Sequence, residues 1–134
     1  MGDEWRVMRI NYCKMSVEKN YKNLDVWKEA RKLVSLIYVL TNEFPEDEKF
    51  GLTSQIKRAV ISVPSNMAEG MGRNSNKETR QFFYIAKGSL YEIETQIYLA
   101  LDLNFITEEK AEQIFTQIIT VRKLIIGFIK YLDK

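Results

Sequence analysis

The residues of this chain best suited to chemistry lie between positions 55 and 98. Lys77, Arg80, Tyr84, Lys87, Tyr91, Glu94 and Tyr98 follow one another at spacings of three and four, so on a helix they share one side. Basic groups neutralise phosphates and tyrosine rings stack on unpaired bases, which is the chemistry single-stranded nucleic acid requires. Lys57, Arg73, Lys77, Arg80, Tyr84, Lys87 and Tyr91 are therefore the candidate nucleic-acid contacts. The competing explanation is structural, because tyrosines at this spacing also line core edges and subunit contacts. A turn, Gly70 to Ser75, precedes Lys77; it either caps helices or lets an anion sit at a helix N-terminus.

A second constellation is Gln55, Arg58, Ser62, Asn66 and Glu69, a polar stripe that continues to Arg73 at helical period. Ser62, Asn66 and the neighbouring Ala59 are small enough to admit another helix. The stripe is either a solvent-facing side or a subunit interface in which Arg58 or Arg73 meets a carboxylate. A buried pair of that kind sets register more than it adds stability. Pro64 lies inside the same run, where its ring crowds the Val60 carbonyl at a cost of about 3 kcal/mol. It predicts a kink or short break that wraps the helix around the core, or one that releases the Val60 carbonyl to a polar network with Ser62, Ser65 and Asn66.

Catalytic chemistry has little to work with. The sequence has no histidine, the usual ligand and general base, and Cys13 is its single cysteine, so neither a Glu-x-x-His metal pair nor a thiolate zinc site can form within one chain. No phosphate-binding G-x-x-x-x-G-K-S/T loop occurs. Glu69 and Glu94 could supply paired carboxylates, but solvated or salt-bridged structural roles explain them better. The expectation is a protein that is not an enzyme and holds no metal or cofactor.

The elements that must position these residues are helices. The first runs from Asn23 or Asp25 to about Phe44, with Trp27, Ala30, Val34, Ile37 and Phe44 on one side and Leu33 and Leu40 widening it. Phe44-Pro45 ends it. The second starts at Gly51 and carries Leu52, Ile56, Val60, Val63 and Met67, ending on Gly70 and Gly72. Ser75 to Glu78 has the spacing of a capping box that opens a third helix, Asn76 to about Leu103, cored by Phe82, Ala86, Leu90, Ile93, Ile97 and Ala100. At 1.5 Å per residue it is about 40 Å long. Thr107, followed by Glu108 and Glu109, starts the fourth, whose stripe includes Ala111, Ile114, Phe115, Ile118, Ile125, Phe128, Ile129 and Leu132. Short connections favour an all-α, antiparallel up-down-up-down four-helix bundle with a kinked second helix, over residues 21–134, preceded by an extension of uncertain order over residues 1–20.

Composition agrees with this class. At 134 residues, 46% hydrophobic and 28% charged, the chain suits one helical domain. No apolar run can cross a bilayer and the start lacks a signal-peptide core, so the expected location is the cytoplasm. Cys13 is expected to be a free thiol. Net charge is only +2, yet residues 51–90 hold six cations against two acids while residues 91–134 hold five against seven. The positive charge is concentrated in the middle.

Several short segments together resemble a known family: Leu24-Asp25-Val26-Trp27-Lys28-Glu29-Ala30, Phe44-Pro45, Gly51 to Ala59, Pro64-Ser65-Asn66-Met67-Ala68-Glu69-Gly70, Gly72-Arg73 and Ala86-Lys87-Gly88-Ser89-Leu90. They are similar to the bacterial four-helix-bundle proteins encoded in intervening sequences of large-subunit ribosomal RNA genes, over roughly Tyr21 to Leu132. The resemblance implies a bundle that assembles as a homopentamer through its apolar and small-residue faces, without enzymatic activity. It extends to the accessory proteins of diversity-generating retroelements, more basic pentameric bundles that bind nucleic acid and a reverse transcriptase. The expectation is a homo-oligomeric scaffold that contacts RNA or an RNA-associated protein, or else a pure protein-interaction module serving a polymerase or reverse transcriptase.

Overall fold

The computed structural model describes residues 20–134; the expected extension up to residue 19, with Cys13, lies outside the described residues. Four helices follow a short 3-10 turn, Tyr21–Asn23: α1 (Asp25–Thr41), α2 (Leu52–Met71), α3 (Asn76–Asp102) and α4 (Glu108–Leu132). Each packs on its sequence neighbour, and α4 closes the bundle against α1. Pairs of cross-helix contacts show antiparallel packing: Ser62 meets Ser89 and Gly70 meets Thr79, Glu94 meets Arg122 and Arg80 meets Asp133, and Glu29 meets Gln117 while Glu43 meets Lys110. This is the up-down-up-down bundle expected from the periodicity.

The caps explain where the helices begin. Ser75 Oγ accepts from the Glu78 amide at 3.2 Å, and the Glu78 carboxylate turns back toward the same hydroxyl at 3.4 Å, forming the expected capping motif. Thr107 Oγ1 likewise accepts from Lys110 N at 3.3 Å. For α2 the cap is Glu48, whose carboxylate accepts from Leu52 N at 3.2 Å from within a 3-10 turn, Glu46–Glu48. The α3–α4 connection is closed by Asn104 at φ 61°, a left-handed conformation that Asn tolerates better than most residues. Phe105 N then reaches Ala100 O at 2.8 Å and Asn104 N reaches Leu101 O at 3.0 Å, the paired bonds of a Schellman end.

Three details differ from the sequence expectations. Helix α1 stops at Thr41 rather than near Phe44; Phe44 lies beyond it and packs its ring 5.7 Å from Phe105, sealing one end of the bundle. In α3 the core aromatic is Phe83, fully buried, whereas Phe82 is only half-buried. The stripe Thr79, Phe83, Ala86, Leu90 and Ile93 follows the core side without a break, and Phe82 is one step round toward α2. Finally, α2 ends at Met71 with Gly72 as its C-cap, where Gly70 and Gly72 were expected to end it, but Gly70 does more than end the helix, and no described glycine has positive φ. Gly70 is needed for space: a Cβ there would lie 2.7 Å from Phe82 Cβ and 3.1 Å from Thr79 O. Thr79 Oγ1 donates across the gap to Gly70 O at 2.8 Å.

Helix α2 continues through Pro64 without a break. The carbonyls that receive side-chain bonds nearby are those of Ala59, from Ser62 Oγ at 2.6 Å, and Ser62, from Asn66 Nδ2 at 2.8 Å, rather than that of Val60.

Replacing Gly70 with Val should destabilise the fold by about 1–3 kcal/mol, the usual cost of overpacking, readable as a lower urea midpoint with an unchanged slope. Glu29 gives a pH test. Its carboxylate accepts from Gln117 Nε2 at 2.9 Å and Lys32 Nζ at 3.2 Å; these bonds, Gln117 first, hold its pKa below the ordinary 4.5 against the opposing effect of burial. The stabilisation is complete above that value and disappears as pH falls through the lowered one. A Gln117→Leu variant should therefore lose less stability than the parent between pH 6 and pH 3 by thermal melts.

Candidate functional site

Helix packing divides the polar residues among two faces. On the α2–α3 side, Ser62 Oγ and Ser89 Oγ share a hydrogen bond at 2.7 Å. Asn66 sits one turn along α2, bonded to the Ser62 carbonyl. Gln55 and Arg58 are exposed on the same flank of the helix. Glu69 is also exposed, and its carboxylate accepts from Arg73 Nη2 at 3.1 Å. The expected stripe therefore exists as a continuous feature, half buried at Ser62 and Asn66 and open at Gln55, Arg58 and Glu69.

The basic residues are less concentrated than their sequence spacing suggested. Lys57 points the other way, toward α1, with Nζ 4.8 Å from the centre of the Tyr38 ring. Arg73 lies 4.6 Å over Phe82 as well as against Glu69. Arg80 is joined to Asp133 at 2.5 Å. Tyr91 is covered by the Arg122 guanidinium at 4.3 Å, and Arg122 is also bound to Glu94 at 2.5 Å. Tyr98 packs on Phe115 with centroids 4.8 Å apart. Lys77 is exposed and Lys87 half-buried, and among the described residues neither has an ion-pair partner. Tyr84, about half exposed, is the candidate ring with an open face.

The α3–α4 seam is consequently polarised along its length. Its lower part is a cleft lined by Glu94, Tyr98, Glu108, Glu112, Phe115 and Arg122, acidic and aromatic. Its upper part, by helical register, holds Lys77, Tyr84 and Lys87 with Lys130 from α4. Sequence spacing on α3 alone missed Arg122, which belongs to the core-flanking series Phe115, Ile119, Arg122 of α4. A further groove, between α1 and α2, is lined by Tyr21, Trp27, Val34, Ile61, Pro64 and Ala68 among others; Arg31 stacks 4.9 Å over Trp27 at its edge. The Pro64 ring forms part of that wall.

None of this converges on a reaction. Glu69 and Glu94 are engaged in separate ion pairs on different seams, so they do not form an acid–base pair. Among the described residues no three His, Cys, Asp or Glu side chains gather around a point that could hold a metal, and no helix is long and apolar enough to cross a membrane. What the faces offer is recognition: apolar grooves, aromatic edges and fixed charges.

Comparison with known proteins places the fold. A solved structure from Bacteroides thetaiotaomicron, described as a protein of unknown function from the S23 ribosomal protein family, superposes with a TM-score of 0.66 at 28% identity. The match covers 78% of this chain and 98% of that one. No curated protein matches the sequence. Neither the family nor the neighbouring structure carries an enzymatic activity in its description. The family model of the 23S rRNA-intervening sequence protein matches residues 22–127, from the 3-10 turn before α1 to the last turns of α4, and the chain belongs to that family.

Proposed function

We propose that this protein is a non-catalytic helical scaffold that works as a homo-oligomer and presents the basic end of the α3–α4 seam to RNA or to an RNA-associated protein. The observation that carries self-association is the apolar surface left outside the core. Phe50 is 89% exposed, Val39 69%, Leu103 54% and Ile85 52%, in addition to the Trp27–Ile61–Pro64 groove. Large apolar side chains left this open, together with an apolar groove, are surface that a second subunit can cover. A ring of five subunits is the stoichiometry that the family resemblance implies.

Lys77, Lys87 and the open face of Tyr84 support the RNA contact. A protein-only module, serving a polymerase or reverse transcriptase, is the second reading, favoured by the engagement of Arg73 and Arg80 with carboxylates on their own chain. These internal pairs reduce what is left to neutralise phosphate.

Light scattering at micromolar concentration should report an oligomer, and a monomer would overturn the scaffold proposal. Filter binding to single-stranded and structured RNA across 50–200 mM salt separates the two readings. With RNA contact, log affinity falls linearly with log salt, and Lys77→Glu with Lys87→Glu flattens the slope by about 0.7 for each single-strand phosphate contact removed. No RNA affinity even at the lowest salt leaves the protein-only module.

A further inference from the structure

The α2–α3 pair has three features that the isolated subunit does not use. The first is Gly88, in the middle of α3. A Cβ built there meets nothing within 4 Å, so the subunit's own packing does not call for glycine, although glycine is the poorest non-proline residue in an exposed helix interior. The second is Gln96, 5% exposed, whose side-chain carbonyl Oε1 is buried without a hydrogen-bond donor. A buried acceptor in that state needs an explanation. The third is a pair of opposite charges. Arg58 and Glu92 are both exposed, and among the described residues neither has an ion-pair partner.

Helical register places Gly88, Arg58 and Glu92 on the outer surface, with Gln96 in the buried seam beneath it. Ser62 lies against Ser89 and Gly70 against Phe82. Running the two helices back antiparallel from the serine pair sets Gln55 level with Gln96, one heptad away on each chain, and Arg58 near the level of Glu92. Periodicity turns Arg58 outward on α2 and turns Ile85, Gly88 and Glu92 outward on α3. Ile85, at 52% exposure, gives the surface an apolar centre. Gly88 leaves a bare stretch of backbone beside it.

Resting on the self-association proposed above, we infer that this α2–α3 face is the contact by which one copy of the chain meets the next, with Arg58 of one subunit pairing with Glu92 of its neighbour. A second copy is the occupant because the face carries both halves of the ion pair, so two copies supply what one leaves unmatched. The small residues Ser62, Gly88 and Ser89 allow close approach of the neighbouring helix, and the half-covered Ile85 gains an apolar partner. The polar stripe of α2 thus forms half of an assembly surface whose other half is on α3.

The test compares the parent with Arg58→Glu, Glu92→Arg, the double exchange and Gly88→Leu, by size-exclusion chromatography with light scattering and by circular dichroism. Each charge reversal should weaken assembly by at least about tenfold, since like charges then face each other across the contact, and the double exchange should restore it. Gly88→Leu should keep or raise the melting temperature while weakening assembly, because the added side chain has room in the subunit and none in the contact. A parent that is monomeric overturns self-association itself. An oligomeric parent whose assembly survives both Arg58→Glu and Gly88→Leu overturns this face alone, and leaves the α1–α2 groove as the contact.

Discussion

The close approach of α2 and α3 is the constraint on which the remaining geometry rests. It is fixed at two points about two turns apart: the serine pair, Ser62 with Ser89, and the crossing at Gly70, where a single added methyl group would collide with Phe82. Small residues permit the approach, and hydrogen bonds to Ala59 O and Gly70 O satisfy the hydroxyl groups that the approach buries. All four helices then supply the core, with Leu33 and Ile37 of α1, Ile56 and Met67 of α2, Phe83 and Leu90 of α3, and Ile118 and Ile125 of α4 fully buried.

Fixing that register also determines how charge is distributed. The α3–α4 seam acquires its own ion pairs, Arg80 with Asp133 and Arg122 with Glu94, and the latter sits over Tyr91 at the same time. Of the three cations of α3, Lys77, Arg80 and Lys87, Arg80 is thereby neutralised. Unpaired positive charge gathers at one end of the seam and carboxylates at the other. The α2–α3 face goes the other way: one arginine and one glutamate stand open on it, next to bare backbone at Gly88. Function in a protein with such faces is a matter of which surface meets which partner.

Much of the fold was legible because helical periodicity is a local property. Apolar spacing located all four helices, and the capping residues Ser75 and Thr107 were recognisable from type and position, since a hydroxyl at an N-terminus bonds amides only three residues away. Errors arose where a distant contact chose between adjacent candidates. Phe82 and Phe83 differ by one step in sequence, but the Gly70 crossing takes the first and the core takes the second. Gly70 and Gly72 marked the end of α2 correctly, but only the fold shows that Gly70 also clears a neighbouring helix, and the left-handed residue among the described ones is Asn104. Pro64 predicted a kink or a short break; α2 continues through it as one helix, and the ring lines a groove.

The candidate site was legible to a lesser degree for the same reason. Sequence by itself determined that the chain makes an antiparallel four-helix bundle, that it lacks histidine and any paired thiols, and that Gln55, Arg58, Ser62, Asn66 and Glu69 share a stripe, because these follow from residue type and a period of 3.6. Only the tertiary structure decided which charges are spent on the chain's own packing. Arg80 finds Asp133 fifty-three residues away and Glu94 finds Arg122 twenty-eight residues away, while Arg58 and Glu92 are left open. Partnership across helices depends on register and rotation between elements, and neither is written into the periodicity of one helix.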